Sequence, residues 1–184
     1  MAPTRRNRSK AALIPMKPDY AQEDVEYVKH RLSVTNANGN TEQTELRVPK
    51  LKDESTIYQI IEFFIAFKEC RLQMQWTTGA KLFQKFASQL EGDHAYTWMV
   101  QVNGVNQMVE LPAFKEGLLA GFRYHDQMDF LRTLRKTTGQ SPTQFLRALR
   151  AAESRAAELP DAPANPGFTA LERKRIFYMA MPSA

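Results

Sequence analysis

At 184 residues with 43% aliphatic and aromatic side chains, the chain has room for one or two small domains and ample material for a packed core. Its single cysteine, Cys70, excludes an internal disulfide and fits a reducing intracellular setting, while no apolar run approaches the roughly 20 residues of a membrane span. The net charge of +5 sits wholly at the amino terminus, where Arg5, Arg6, Arg8, Lys10 and Lys17 face no acid within residues 1–18 and the remaining 20 basic residues are matched by 20 acids. A neutral body with a basic arm suits self-association and contact with nucleic-acid phosphates; a solvated tail without a specific partner is the alternative.

Residues 1–24, with Pro3, Pro15, Pro18 and scattered charge, read as a disordered basic arm. Two β-branched, alternating runs, Glu26 to Val34 and Thr41 to Val48, flank an Asn38-Gly39 turn and predict a β-hairpin closed by Pro49. From Ser55 the period changes to that of a helix, with Ile57, Ile60, Ile61, Phe64, Phe67 and Cys70 on one face and Ser55 or Thr56 as cap, running to about Leu72. A second helix is expected from about Ala80 to Leu90, burying Leu82, Phe83, Phe86 and Leu90 and ended by Gly92. A third, capped by Asp93, carries Ala95, Trp98, Met99 and Val102 and stops at Asn103-Gly104.

Val105 to Glu110 reads as loop, after which Pro112 opens a helix through Phe114, Leu118, Leu119 and Phe122 to about Tyr124. Asp126 is the expected cap of the next helix, with Met128, Leu131 and Leu134 inward. The stretch Thr137 to Arg150 then has the strongest local logic of the chain. Gly139 permits a positive φ, Ser141 can accept a hydrogen bond from the first helical turn, and Pro142 stands where no N–H is needed. The helix that follows, to about Glu158, buries Phe145, Leu146, Leu149 and Ala152. Pro160, Pro163, Pro166 and Gly167 form a linker, and Thr169 caps a last helix containing Leu171, Ile176, Phe177 and Met179, closed by Pro182.

The chemistry of an enzyme has no foothold in this pattern. His30, His94 and His125 fall in different elements and, with Cys70, show no metal-ligand spacing, so neither a metal nor another cofactor is expected. Cys70 lies on an apolar helix face, where a thiol is a small hydrophobe. No glycine-rich phosphate loop follows a strand. The phenylalanines and Trp98 recur at helical intervals and read as core rather than base-stacking platforms. Arg147, Arg150 and Arg155, with Arg132, Arg135 and Lys136, have acids nearby and read as a solvated or intersubunit face rather than an RNA groove.

Taken in order, Leu82 to Phe86, Leu90 to Trp98, Phe114 with Leu118 and Phe122, Leu131 to Leu134, and Gly139 with Phe145 and Leu149 resemble the Gag capsid region of gypsy-type long-terminal-repeat retrotransposons. Residues 55–182 carry the resemblance, and Ile176 to Pro182 resembles the late helix of that family. Gly139, Ser141, Phe145 and Leu149 stand where the family has its turn-helix akin to the retroviral major homology region. Thr138 and Gln140 depart from the family's glutamine and glutamate, and no zinc knuckle follows.

The resemblance implies a mainly α fold: a basic arm (1–24), an N-terminal capsid lobe with the hairpin and about five helices (25–136), and the start of a C-terminal lobe (137–184). It implies a non-enzymatic structural protein that self-assembles through pentamer and hexamer rings into a cytoplasmic virus-like shell packaging RNA, with Arg5, Arg6, Arg8, Lys10 and Lys17 as the RNA contacts. Membranes and small-molecule substrates are not expected partners. The early stop of the second lobe reads as a processed product or a piece of a longer polyprotein. A domesticated Gag-like adaptor that binds peptides, and an unrelated helical nucleocapsid or nucleic-acid-binding protein, remain open alternatives.

Overall fold

A computed structural model of the protein describes residues 12–35, 37–76, 79–102 and 107–181. Among these residues the fold is mainly helical, a two-stranded antiparallel hairpin being followed by seven helices. They form two compact units, one of residues 17–118 and one of residues 12–16 with 119–181. The division falls between Leu118 and Leu119 rather than at 136, because Met128 and Leu131 pack into one core with Phe145 and Leu149.

In the first unit, strands β1 (Tyr27–Thr35) and β2 (Thr41–Pro49) pair from Tyr27↔Pro49 to Thr35↔Thr41, and Gly39 at φ +80° takes the turn conformation its sequence predicts. Helix α1 (Ile57–Gln73) starts at a capping box: Thr56 Oγ1 accepts the Gln59 N–H, and Gln59 Oε1 accepts the Thr56 N–H at 2.8 Å. Helix α2 (Gly79–Ala87) stops before Leu90, the expected end. The cause is a backbone pairing: the Leu51 N–H donates to Gln89 O and the Glu91 N–H to Leu51 O, both at 2.9 Å.

Helix α3 (Gly92–Val102) begins at Gly92, the residue expected to terminate α2, and Asp93 does not act as its cap. The Asp53 carboxylate accepts the Asp93 and His94 N–H groups at 3.0 and 3.2 Å, holding its pKa below the usual carboxylate range. Gly92 is favoured there twice over, since its φ is +60° and a Cβ would collide with the Asp53 carboxylate. Helix α4 (Gln107–Leu118) starts ahead of Pro112 and carries it inside, forgoing the one backbone hydrogen bond that proline cannot donate. The expected stop at Asn103-Gly104 lies outside the described residues.

Phe86 is the hub of this unit's core. Its ring lies 4.5 Å from Trp98, 5.0 Å from Phe67 and 5.6 Å from both Phe63 and Phe114, centroid to centroid. Rings from α1, α2, α3 and α4 thus meet at one side chain, with edge-to-face contacts that add to their area burial. Cys70 is buried on α1, and desolvation pushes its thiol up to about 11.

In the second unit, helix α5 (Tyr124–Arg132) is capped by Asp161, whose Oδ1 accepts the Tyr124 N–H at 2.8 Å, and not by Asp126. Helix α6 (Pro142–Ala156) and helix α7 (Ala170–Ala180) begin at capping boxes, Ser141 with Gln144 and Thr169 with Glu172. Met128, Leu131, Phe145, Leu149, Ala152, Phe168 and Ile176 belong to the shared core. Pro182 lies outside the described residues.

Residues 12–24, expected to be disordered, have a defined place. Ala12 forms a parallel β-bridge with Phe122, and Ile14 is only 1% exposed. Gln127, itself buried on α5, accepts the Ile14 N–H on Oε1 at 2.8 Å and donates from Nε2 to Ile14 O at 3.2 Å, as a neighbouring strand would. Arg155 donates to Met16 O at 3.3 Å. Residues 22–24 form a short 3₁₀ turn in the first unit.

Candidate assembly surfaces

The residues singled out in the turn before α6 come together. Gly139 has φ +83°; the Gln140 N–H donates to Thr137 O at 3.1 Å, and Gln140 Oε1 accepts the Thr137 N–H at 3.2 Å. Lys136 Nζ donates to Gln140 O at 2.8 Å. Ser141 Oγ accepts the Gln144 N–H at 3.1 Å, and Gln144 Oε1 accepts the Ser141 N–H at 2.8 Å. One and two turns on, Phe145 and Leu149 are buried. A glutamine therefore supplies the side-chain bond across this turn.

Near the far end of α6 lies a polar cluster that sequence reading missed. Glu153, 6% exposed on α6, accepts the Phe168 N–H at 2.7 Å and both Arg173 Nε and NH2, at 3.0 and 2.9 Å. Arg173 NH2 also donates to Phe168 O at 3.0 Å, and its pairing with Glu153 holds its pKa above the ordinary guanidinium value. The two-pronged pairing fixes α7 against α6, because the Glu153 carboxylate left alone would be buried without compensation, whereas Arg173 keeps part of its side chain in solvent. Glu153 falls four residues after Leu149, on the buried face, and that was the available signal. Nothing local points to Arg173 as its partner.

Each unit groups several exposed apolar side chains on one helix, apart from scattered ones such as Val34 on β1 and Leu72 on α1. On α3, Tyr96, Met99 and Val100 are 71%, 51% and 57% exposed. Trp98 takes the inward face of that helix. On α7, Leu171, Tyr178 and Met179 are exposed while Ile176 and Ala180 face the core. Residues at i, i+3 and i+4 make a patch on α3, and Leu171 and Tyr178, two turns apart, line a stripe on α7.

The charge is distributed unevenly between the units. Residues 17–118 hold 11 Lys and Arg against 14 Asp and Glu, whereas residues 119–181 hold 10 against 6. The neutrality of the body is thus a sum of two opposite surpluses. Of the expected nucleic-acid contacts, Lys17 is exposed at the start of the first unit, and Arg5, Arg6, Arg8 and Lys10 lie outside the described residues.

Among the described residues, no cluster of His, Cys, Asp and Glu is placed to hold a metal ion, and no helix is long and apolar enough to cross a membrane. Comparison with family models, with curated proteins and with solved structures finds no match to this chain.

Proposed function

We propose that the protein is a structural, Gag-like capsid subunit that self-assembles into a shell around RNA in the cytoplasm. The observation that carries this reading is the pair of apolar helical faces, one on α3 of the first unit and one on α7 of the second. One self-complementary patch closes a two-fold dimer and stops there. Two patches on separately folded units let rings form through one and be joined through the other, and each contact can be weak because the shell repeats it. The two helical units behind an N-terminal hairpin are the capsid lobes in this reading, and the Gly139 turn with α6 is its major-homology-like element.

Electron microscopy of the purified protein with and without RNA tests the proposal. Closed particles are the expected result. Monomers under all conditions would favour a peptide-binding adaptor, and filaments formed only on RNA would favour a nucleocapsid. Tyr178→Glu and Tyr96→Glu, both at exposed positions, are expected to abolish particles without lowering the melting temperature; particles of normal yield from both variants would remove the apolar faces from the mechanism.

A further inference from the structure

The second unit has a groove between α6 and α7 that the reading above leaves unused. It encloses about 300 Å³ and is lined by Leu146, Arg150, Ala170, Arg173, Lys174 and Phe177. Leu146 and Phe177, both half-buried, give it an apolar floor, and three cations form its rim with no carboxylate among the lining residues. A neighbouring groove of about 340 Å³ shares Arg150 and Arg173, so the trough continues along α6; its one carboxylate, Glu153, is held by Arg173 and the Phe168 N–H.

The rim cations differ in how they are held. Arg173 is fixed by Glu153 and by Phe168 O, which consume much of its charge and most of its donors. Arg150 is exposed and its guanidinium makes no ion pair with any described residue. Lys174 is also exposed and lies 5.9 Å from the ring of Tyr178, an aromatic face open to solvent beside the groove. The surplus of basic residues in this unit supplies a field of the same sign around the trough.

We infer that the α6–α7 trough binds the phosphodiester backbone of a single nucleic-acid strand, with Arg150 and Lys174 on phosphates, in addition to any contact by the basic arm. An open, cation-rimmed trough with aromatic rings at its side matches a flexible polyanion whose bases can stack without sequence preference. Two adjoining open grooves with shared cations suit a long polyanion running past them. The inference concerns strand binding by the unassembled chain and does not depend on shell formation.

The test is fluorescence anisotropy of a labelled oligouridine with the full-length protein, at concentrations where it is unassembled, across a salt series. Arg150→Ala/Lys174→Ala is expected to weaken binding several-fold and to make the log–log salt slope shallower by about 1.4, roughly 0.7 for each phosphate contact on a single strand. Arg31→Ala/Lys81→Ala, at exposed positions on the first unit, removes the same charge and is expected to leave the slope in place. Equal slopes for the wild type and the groove variant would overturn the inference, as would equal losses from the two double variants. Displacement of the oligouridine by polyglutamate at matched charge would overturn the nucleic-acid assignment in favour of an acidic peptide. Microscopy of particles reads the proposed shell separately, so either idea can fail alone.

Discussion

The two units solve the same packing problem with different materials. The first gathers Phe63, Phe67, Phe86, Trp98 and Phe114 around one ring, carries a surplus of acids, and takes its ends from backbone pairing at Leu51 and from Asp53. The second has a core of mainly aliphatic residues with Phe145 and Phe168, a surplus of bases, and a buried ion pair joining two of its helices. An aromatic hub concentrates stability in a few side chains. A core that shares its duties with a charged pair ties stability to geometry, and it leaves cations nearby for a polyanion.

The contrast can be broken most severely at Phe86. Phe86→Ala is expected to cost about 3–5 kcal/mol, the range for a large core aromatic, with hydrogen-exchange protection lost across residues 17–118. Near-native protection there would show that the hub is not the centre of that core. Arg173→Met should cost the second unit about 3 kcal/mol, the lower end for breaking a buried pair because Arg173 remains partly exposed. Double replacement with Glu153→Gln should recover part of the loss, and a loss equal to the sum of the two single effects would mean that the pair is not coupled.

Smaller effects sharpen the same comparison. Gly92→Ala should destabilise the first unit by at least ~1–2 kcal/mol, from the left-handed backbone alone, with further loss as Asp53 is pushed off its two N–H donors. Chemical denaturation reads this directly, and a neutral result would show that the backbone relaxes. His30 gives a pH signature. Its ring is buried, 4.9 Å from Trp76 and with Nε2 3.1 Å from Gln89 Nε2, and desolvation, followed by the charge of Lys85, holds its pKa below 6.5. Because the unfolded chain takes up the proton first, stability of the first unit should be level above pH 6.5 and fall below it; His30→Gln should remove that part of the fall. Finally, Cys70, with its thiol pushed up to about 11, should resist alkylation at pH 8 until the unit unfolds.

What the sequence disclosed was what is local. Thr56, offered with Ser55 as a cap, and Ser141 and Thr169 are signals read within a single turn, and α1, α6 and α7 begin where they stand. The hairpin followed from alternation around Asn38-Gly39. What escaped was non-local: Asp53 displaces Asp93 as the cap of α3, Asp161 displaces Asp126 as the cap of α5, and Leu51 cuts α2 short. In each case a distant group met a backbone need that a nearby residue was equipped to meet. The groove cations were visible as arginines and lysines, but their surplus over acids emerged only once the division at Leu118 was known.

The clasp of Gln127 on Ile14 bears on how the molecule comes into being. Its two partners are 113 positions apart in the chain, and Ile14 leaves the ribosome long before any residue of its seat exists. The residues of the first unit emerge in between and carry a core of their own. The second unit must therefore wait and recapture a segment made more than a hundred residues earlier, a closure of high contact order and hence slow. Nascent chains halted once Leu118 has cleared the ribosomal exit tunnel but while Gln127 is still inside it should leave Ile14 open to protease while residues 17–118 resist it, and early protection of Ile14 would contradict that order of events.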